Sequence, residues 1–150
     1  MTFCIKFLSE RVPNLKRGEK AAYGMLKIGD FEERFISSLS FWNADNYQHH
    51  WKEALTRLQN KEGATSCLIT SLTDPDNTNF ITLWPIYRER NSVFFQNQLL
   101  FLKGLKKPFN PAFPYDHVNH RDTSKEDGQK ASEWCVSMDC IKSFLKMETL

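Results

Sequence analysis

One helical stripe, set among segments that alternate, does most to constrain how this chain folds. Tyr47, Trp51, Ala54, Leu55 and Leu58 recur at i, i+4, i+7, i+8 and i+11, which places them on one face of a helix. Gln48, Lys52, Glu53 and Arg57 fall largely on the other faces. Asn43 or Asp45 can cap the start, because a short polar side chain accepts from the free N–H groups of a first turn. Asn60 to Gly63 ends the stripe, so the spacing predicts a helix over about 45–60.

The flanking segments follow a period of two. Phe3, Ile5 and Phe7 alternate with Cys4 and Lys6, as in a half-buried strand. Residues 9–20, with Pro13 and Gly18, read as a loop. Tyr23–Ile28 and Phe31–Leu39 read as strands joined at Gly29-Asp30, where glycine accepts the positive φ of a hairpin turn. Beyond the helix, Cys67–Leu72, Asn79–Arg88 and Ser92–Leu102 read as three more strands, the first two separated by the turn Asp74-Pro75-Asp76-Asn77. Short connections favour antiparallel pairing. Pro85 has no N–H, so its strand is expected at an edge or with a bulge. Residues 103–130, with Pro108, Pro111 and Pro114, read as an extended loop whose first half is held down by Phe109, Phe113 and Tyr115. Ala131–Val136 reads as a last strand, after which Ser137 can cap a short helix with Met138, Ile141, Phe144 and Leu145 inward. A length of 150 residues suits one domain. The expectation is one α+β domain over 1–150: a mainly antiparallel sheet of six or seven strands, one long helix and a short C-terminal helix.

Charge and motifs narrow the function. Twenty basic and 18 acidic residues leave a net charge of +2, which gives no electrostatic case for a nucleic-acid or membrane partner. The apolar residues of the first ten are too few and too interrupted for a secretory signal, and no run is long enough to span a bilayer, so the expected location is the cytosol. The four cysteines (4, 67, 135 and 140) lack C-x-x-C spacing and are expected to be reduced and mostly buried. His117 and His120, with Asp116 and Asp122 nearby, could share a metal or serve a small hydrolase. No G-x-S-x-G elbow or phosphate-binding glycine loop is present. The run Trp84–Arg90, followed by Lys103, Lys106 and Lys107, is the nearest approach to a nucleic-acid surface, and Glu89 interrupts it. Protein binding asks less: Trp84, Tyr87 and Arg88 could anchor an interface, as could the acids of the turns.

Several ordered stretches carry a family likeness. Asp30-Phe31-Glu32-Glu33-Arg34-Phe35, Ser40-Phe41-Trp42 and Tyr47, Trp51 and Leu55 come first. Ile69-Thr70-Ser71-Leu72 with Asp74-Pro75, then Trp84-Pro85-Ile86-Tyr87-Arg88 and Gln96-Asn97-Gln98, continue it, and Glu126-Asp127-Gly128 and Ser132-Glu133-Trp134 close it. Together, over roughly 24–137, they resemble immunity proteins of bacterial contact-dependent growth inhibition systems. The resemblance implies a cytosolic antidote that binds the C-terminal domain of a cognate toxin one-to-one, without turnover or cofactor. It implies that the toxin acts on nucleic acid, so acids that face a basic groove become candidate contacts. The candidates for partner binding are Asp74, Asp76, Asp116, Glu126 and Asp127, with Trp84, Tyr87, Arg88, Gln96 and Gln98. Trp42, Tyr47, Trp51 and Trp134 are assigned to the core instead.

Overall fold

The computed structural model describes residues 2–123 and 132–148. The helical stripe forms α1, Ala44–Asn60, capped by Asn43, whose side chain accepts from the Asn46 N–H while Asn46 returns the bond. Tyr47, Trp51, Ala54, Leu55 and Leu58 are all buried. Ahead of α1, β1 (Phe3–Phe7), β2 (Ala21–Ile28) and β3 (Phe31–Ser38) make an antiparallel three-stranded sheet, with β2 and β3 joined at Gly29-Asp30 and Gly29 at φ +62°. After α1, β4 (Thr65–Ser71), β5 (Phe80–Glu89), β6 (Ser92–Gln96) and β8 (Glu133–Ser137) pair in that order, and β7 (Gln98–Phe101) also pairs with β5. α2 is Met138–Glu148, and its first N–H donates to Asn91 O at 2.7 Å.

The α+β class, the antiparallel pairing and both helices agree with the expectation. Among the described residues, however, the strands number eight and divide into two sheets. The cause is α1. Its side chains occupy the open edge of β4, so β3 cannot continue the sheet and meets β4 only at a corner. There the Ser37 hydroxyl donates to Thr70 O, and Ser38 N–H donates to Ser71 Oγ at 3.2 Å. The sheets pack face to face instead. Phe3 stacks on Phe95 at 5.3 Å and Phe31 on Trp134 at 4.2 Å, and Phe144 of α2 closes edge-on to Phe3.

Pro85 does not mark an edge, and the bulge lies elsewhere, between Ile69 and Ser71 of β4. β5 is interior, with β4 on one side and β6 and β7 on the other. Ile69 N–H and C=O and Thr65 C=O face α1, so the alternate residues of β4 bond β5, and Pro85, opposite Cys67, turns its nitrogen toward β6 and β7. The missing donor therefore interrupts that ladder. β6 and β7 keep one register along β5, Ile86↔Phe95 on one side of the gap and Leu83↔Gln98 on the other, with Asn97 between them. The stretch Ser92–Leu102 is thus two strands.

α1 seals β4 bond by bond. Arg57 Nε donates to Thr65 O at 2.8 Å, His50 Nε2 accepts from Ile69 N–H at 2.8 Å and Trp51 Nε1 donates to Ile69 O at 2.8 Å. Tyr47 Oη accepts from Leu72 N–H at 2.9 Å and donates to Ser38 O at 2.7 Å. A Tyr47→Phe substitution keeps the ring and strands the buried Leu72 N–H. Urea unfolding should show a loss of about 1–3 kcal/mol, and an unchanged midpoint would show that the hydroxyl is dispensable.

Candidate functional site

The candidate residues from sequence land in different places. Trp84 and Tyr87 are only 3% and 6% exposed, so neither has surface to offer a partner. Trp84 packs against Phe31 and Trp134, and the Tyr87 hydroxyl donates to Asn119 O at 3.0 Å. Burial pushes the Tyr87 phenol up to about 12. Arg88 spans the end of α1, donating to Leu58 O at 2.8 Å and Gln59 O at 3.3 Å, and its Nε donates to Arg90 O. Trp84 and Tyr87 are covered because both faces of β5 are packed over, one by Phe31 and Trp134 and the other by the segment that carries Asn119, whereas Arg88 is half-buried. Asp74 closes its own turn, accepting from Asp76 N–H at 3.0 Å and from the Asn77 amide at 2.8 Å. Gln98 is half-buried at the start of β7, while Asp76 and Asp116 are exposed on separate loops. Glu126 and Asp127 lie outside the described residues.

Gln96 belongs to a cluster that sequence patterns do not assemble. Arg121 holds Glu133 through two bonds, at 2.8 and 2.5 Å, reaches Glu89 at 3.3 Å and lies 3.7 Å over the Phe94 ring. Gln96 Nε2 donates to Glu133 at 2.9 Å and to Asp122 O at 3.1 Å. The hydrogen bonds between Arg121 and Glu133 hold the Glu133 carboxyl below its ordinary range and push the guanidinium further up. The cluster ties segment 119–122 to the outer face of β5, β6 and β8. Phe109 packs partly against the core, Tyr115 lies under the Arg57 guanidinium at 3.7 Å and Pro114 is buried in a 3₁₀ turn at Pro114–His117. Phe113, expected to help hold this loop down, is 49% exposed. His117 rests 5.4 Å from the Phe109 ring and His120 is exposed; no group of three metal-ligating side chains forms among the described residues.

The cysteines carry no disulfide. Cys67 is buried, with its thiol pushed by burial up to about 12, whereas Cys135 is exposed because strand alternation sets it on the outer face beside Phe94. That corrects the expectation that most thiols are buried.

A cleft of about 830 Å³ opens between α1 and residues 110–115, with Ser66 and Cys67 of β4 among its lining. Asp45, His49 and Glu53, each four residues apart, line the α1 wall, and His49 Nε2 is 3.0 Å from Glu53 Oε1. His50 also lines this cleft. Its Nε2 is spent on Ile69 N–H, which fixes the neutral ring with its proton on Nδ1. Burial, with a smaller contribution from His49, pushes His50 down to about 3.

The same arrangement of strands and helices occurs in known proteins. Residues 37–144 match the family model of the CdiI N-terminal domain. The chain belongs to the CdiI family. The immunity protein CdiI of Enterobacter cloacae subsp. cloacae is 32% identical over 137 residues, which cover 91% of this chain and 92% of that protein. A chain of the CdiA-CT/CdiI toxin and immunity complex from Enterobacter cloacae superposes with a TM-score of 0.85 at 31% identity, covering 99% of both chains.

The side-chain chemistry has two measurable consequences. Replacing Arg121 by alanine should speed proteolytic cleavage within 119–122 by about tenfold or more, the effect of losing about 1.4 kcal/mol of local stability, while β5 stays resistant. Cleavage at the wild-type rate would show that the cluster does not hold the segment. For His50, the folded chain binds fewer protons than the unfolded one between pH 6.5 and about 3. Stability therefore rises with pH across that window and falls as pH drops through it, by up to about 1.4 kcal/mol per pH unit. Chemical denaturation at several pH values should show a shallower slope in His50→Gln, and an identical slope would contradict the assignment.

Proposed function

We propose that this chain is an immunity protein that binds the C-terminal toxin domain of a CdiA-type contact-dependent growth inhibition system, one-to-one, and blocks its active site or an essential surface. The observation that carries this is the shared fold over 99% of both chains with a member of a toxin and immunity complex, joined to 32% identity across nearly the whole of a CdiI protein. The antidote works in the cytoplasm, without turnover and without a cofactor. The local chemistry favours binding over catalysis: the His50 imidazole and the Cys67 thiol, both among the residues that line the cleft, are pushed to about 3 and about 12, away from the values a base or a nucleophile needs near neutral pH.

The toxin is taken to be a nuclease with a basic substrate groove. Exposed acids such as Asp76 and Asp116 then speed encounter through their field more than they add to the final grip. Glu126 and Asp127, outside the described residues, remain candidate contacts of the same kind, and Gln98 remains a candidate as an uncharged polar contact. The test is protection. Cells that make this chain together with the toxin encoded beside its gene should survive, and the purified pair should elute as a complex of one copy each. Growth arrest in the presence of the chain, with no complex formed, would refute the reading.

A further inference from the structure

The cleft beside α1 has features that the fold itself does not use. His50 is 8% exposed, and its Nε2 already accepts from Ile69 N–H, so the remaining Nδ1–H is a donor. No described residue accepts from it, and no fully buried polar side-chain atom in the described structure lacks a partner; Nδ1 therefore keeps contact with the cleft that the ring lines. A donor held in this way is available to an acceptor that enters the cleft.

The charges around it select what that acceptor belongs to. Asp45 has no ion-pair partner among the described residues, and there the ion-pair partner of Glu53 is His49. The cation on the same wall, Arg57, has its Nε on Thr65 O and its plane stacked on Tyr115. An anion or a nucleic-acid backbone would meet two carboxylates here, so the site takes a cation. Its reach indicates a chain segment and not a small ion. The cleft shares His49, Glu53 and Arg57 with a second hollow of about 520 Å³ that continues past Thr56 to Asn60 and Lys61, so the groove follows most of α1. Arg57 and Lys61 lie toward that far end, and the sign of charge changes along the groove. Such a gradient sets the direction in which a bound segment lies. At the near end the exposed ring of Phe113 and the half-buried Trp42 supply apolar contact, and Phe41, 44% exposed, stands beside Trp42.

We propose that this groove seats a segment of the partner toxin domain, with a lysine or arginine side chain placed along the acidic wall that Asp45 and Glu53 form and a main-chain carbonyl accepting from His50 Nδ1–H. The proposal rests on the toxin-binding reading above and names the surface that performs it. It also moves the centre of recognition away from the loop acids, to a helix face locked onto the sheet.

Calorimetric titration of the full chain with the toxin domain encoded beside its gene, carrying an inactivating substitution, tests this. Glu53 and Ala112 are both exposed, so Glu53→Lys and Ala112→Trp change the groove without entering the core. Each should weaken binding by about tenfold or more. Glu32→Lys, on the outer face of the three-stranded sheet, should leave it within about twofold, the spread expected of a surface change outside the interface. Wild-type affinity in both groove variants, alongside a wild-type chain that binds, would overturn the groove and leave the immunity reading intact. No binding by the wild-type chain would overturn both. Hydrogen exchange on the unaltered complex decides the matter independently of how the variants fold. Slowed exchange at Ala112, Phe113 and Tyr115 supports the proposal, and unchanged exchange there contradicts it.

Discussion

The structure depends on how α1 closes the edge of β4. An exposed strand edge presents a row of unpaired N–H and C=O groups, and here one helix answers it with four side chains: Tyr47, His50, Trp51 and Arg57. Much follows from that one contact. It keeps the two sheets from merging, so they face each other and enclose the aromatic core of Phe3, Phe31, Phe95 and Trp134. It requires His50 to be neutral, because only an unprotonated Nε2 can accept from Ile69. It also leaves the neighbouring flank of α1, with Asp45, His49 and Glu53, facing residues 110–115 across open space.

Recognition and stability thus share one helix and meet at His50, which bonds β4 through Nε2 and faces the cleft through Nδ1. Asp45 and Glu53, on the wall of the same cleft, bond to no strand. A protein that must match one partner tightly gains from such an arrangement, since a rigid backbone lowers the ordering cost of binding while the exposed side chains can vary with the toxin. The 119–122 segment follows the same logic on the other face of the large sheet, where Arg121 fastens an irregular chain through Glu133 and Glu89.

Much of this fold is legible in the sequence because periodicity reports burial. The stripe from Tyr47 to Leu58 and the alternation in β1 to β3 place those elements within a few residues, and Gly29-Asp30 marks the hairpin. What stayed hidden depends on partners distant in sequence. Trp84 and Tyr87 look like interface anchors because interfaces and cores favour the same aromatic residues; only the packing over both faces of β5 decides the matter. Pro85 suggests an edge until the direction of its nitrogen is known. Arg121 lies 32 residues from Glu89 and 12 from Glu133, and no local pattern links them. Asp45, His49 and Glu53 do form a readable i, i+4 series, but nothing in the series reveals that a proline-rich loop builds the facing wall.

A helix fixed to a strand edge presents a preformed surface, so the partner is met by side chains and not by an added strand. The crystal structure of this chain with its toxin domain tests this most directly. The bonds from His50, Trp51 and Arg57 to β4 should persist, and toxin atoms should occupy the groove between α1 and residues 110–115. A complex in which α1 has left β4 and a toxin strand pairs along Thr65–Ser71 would contradict it.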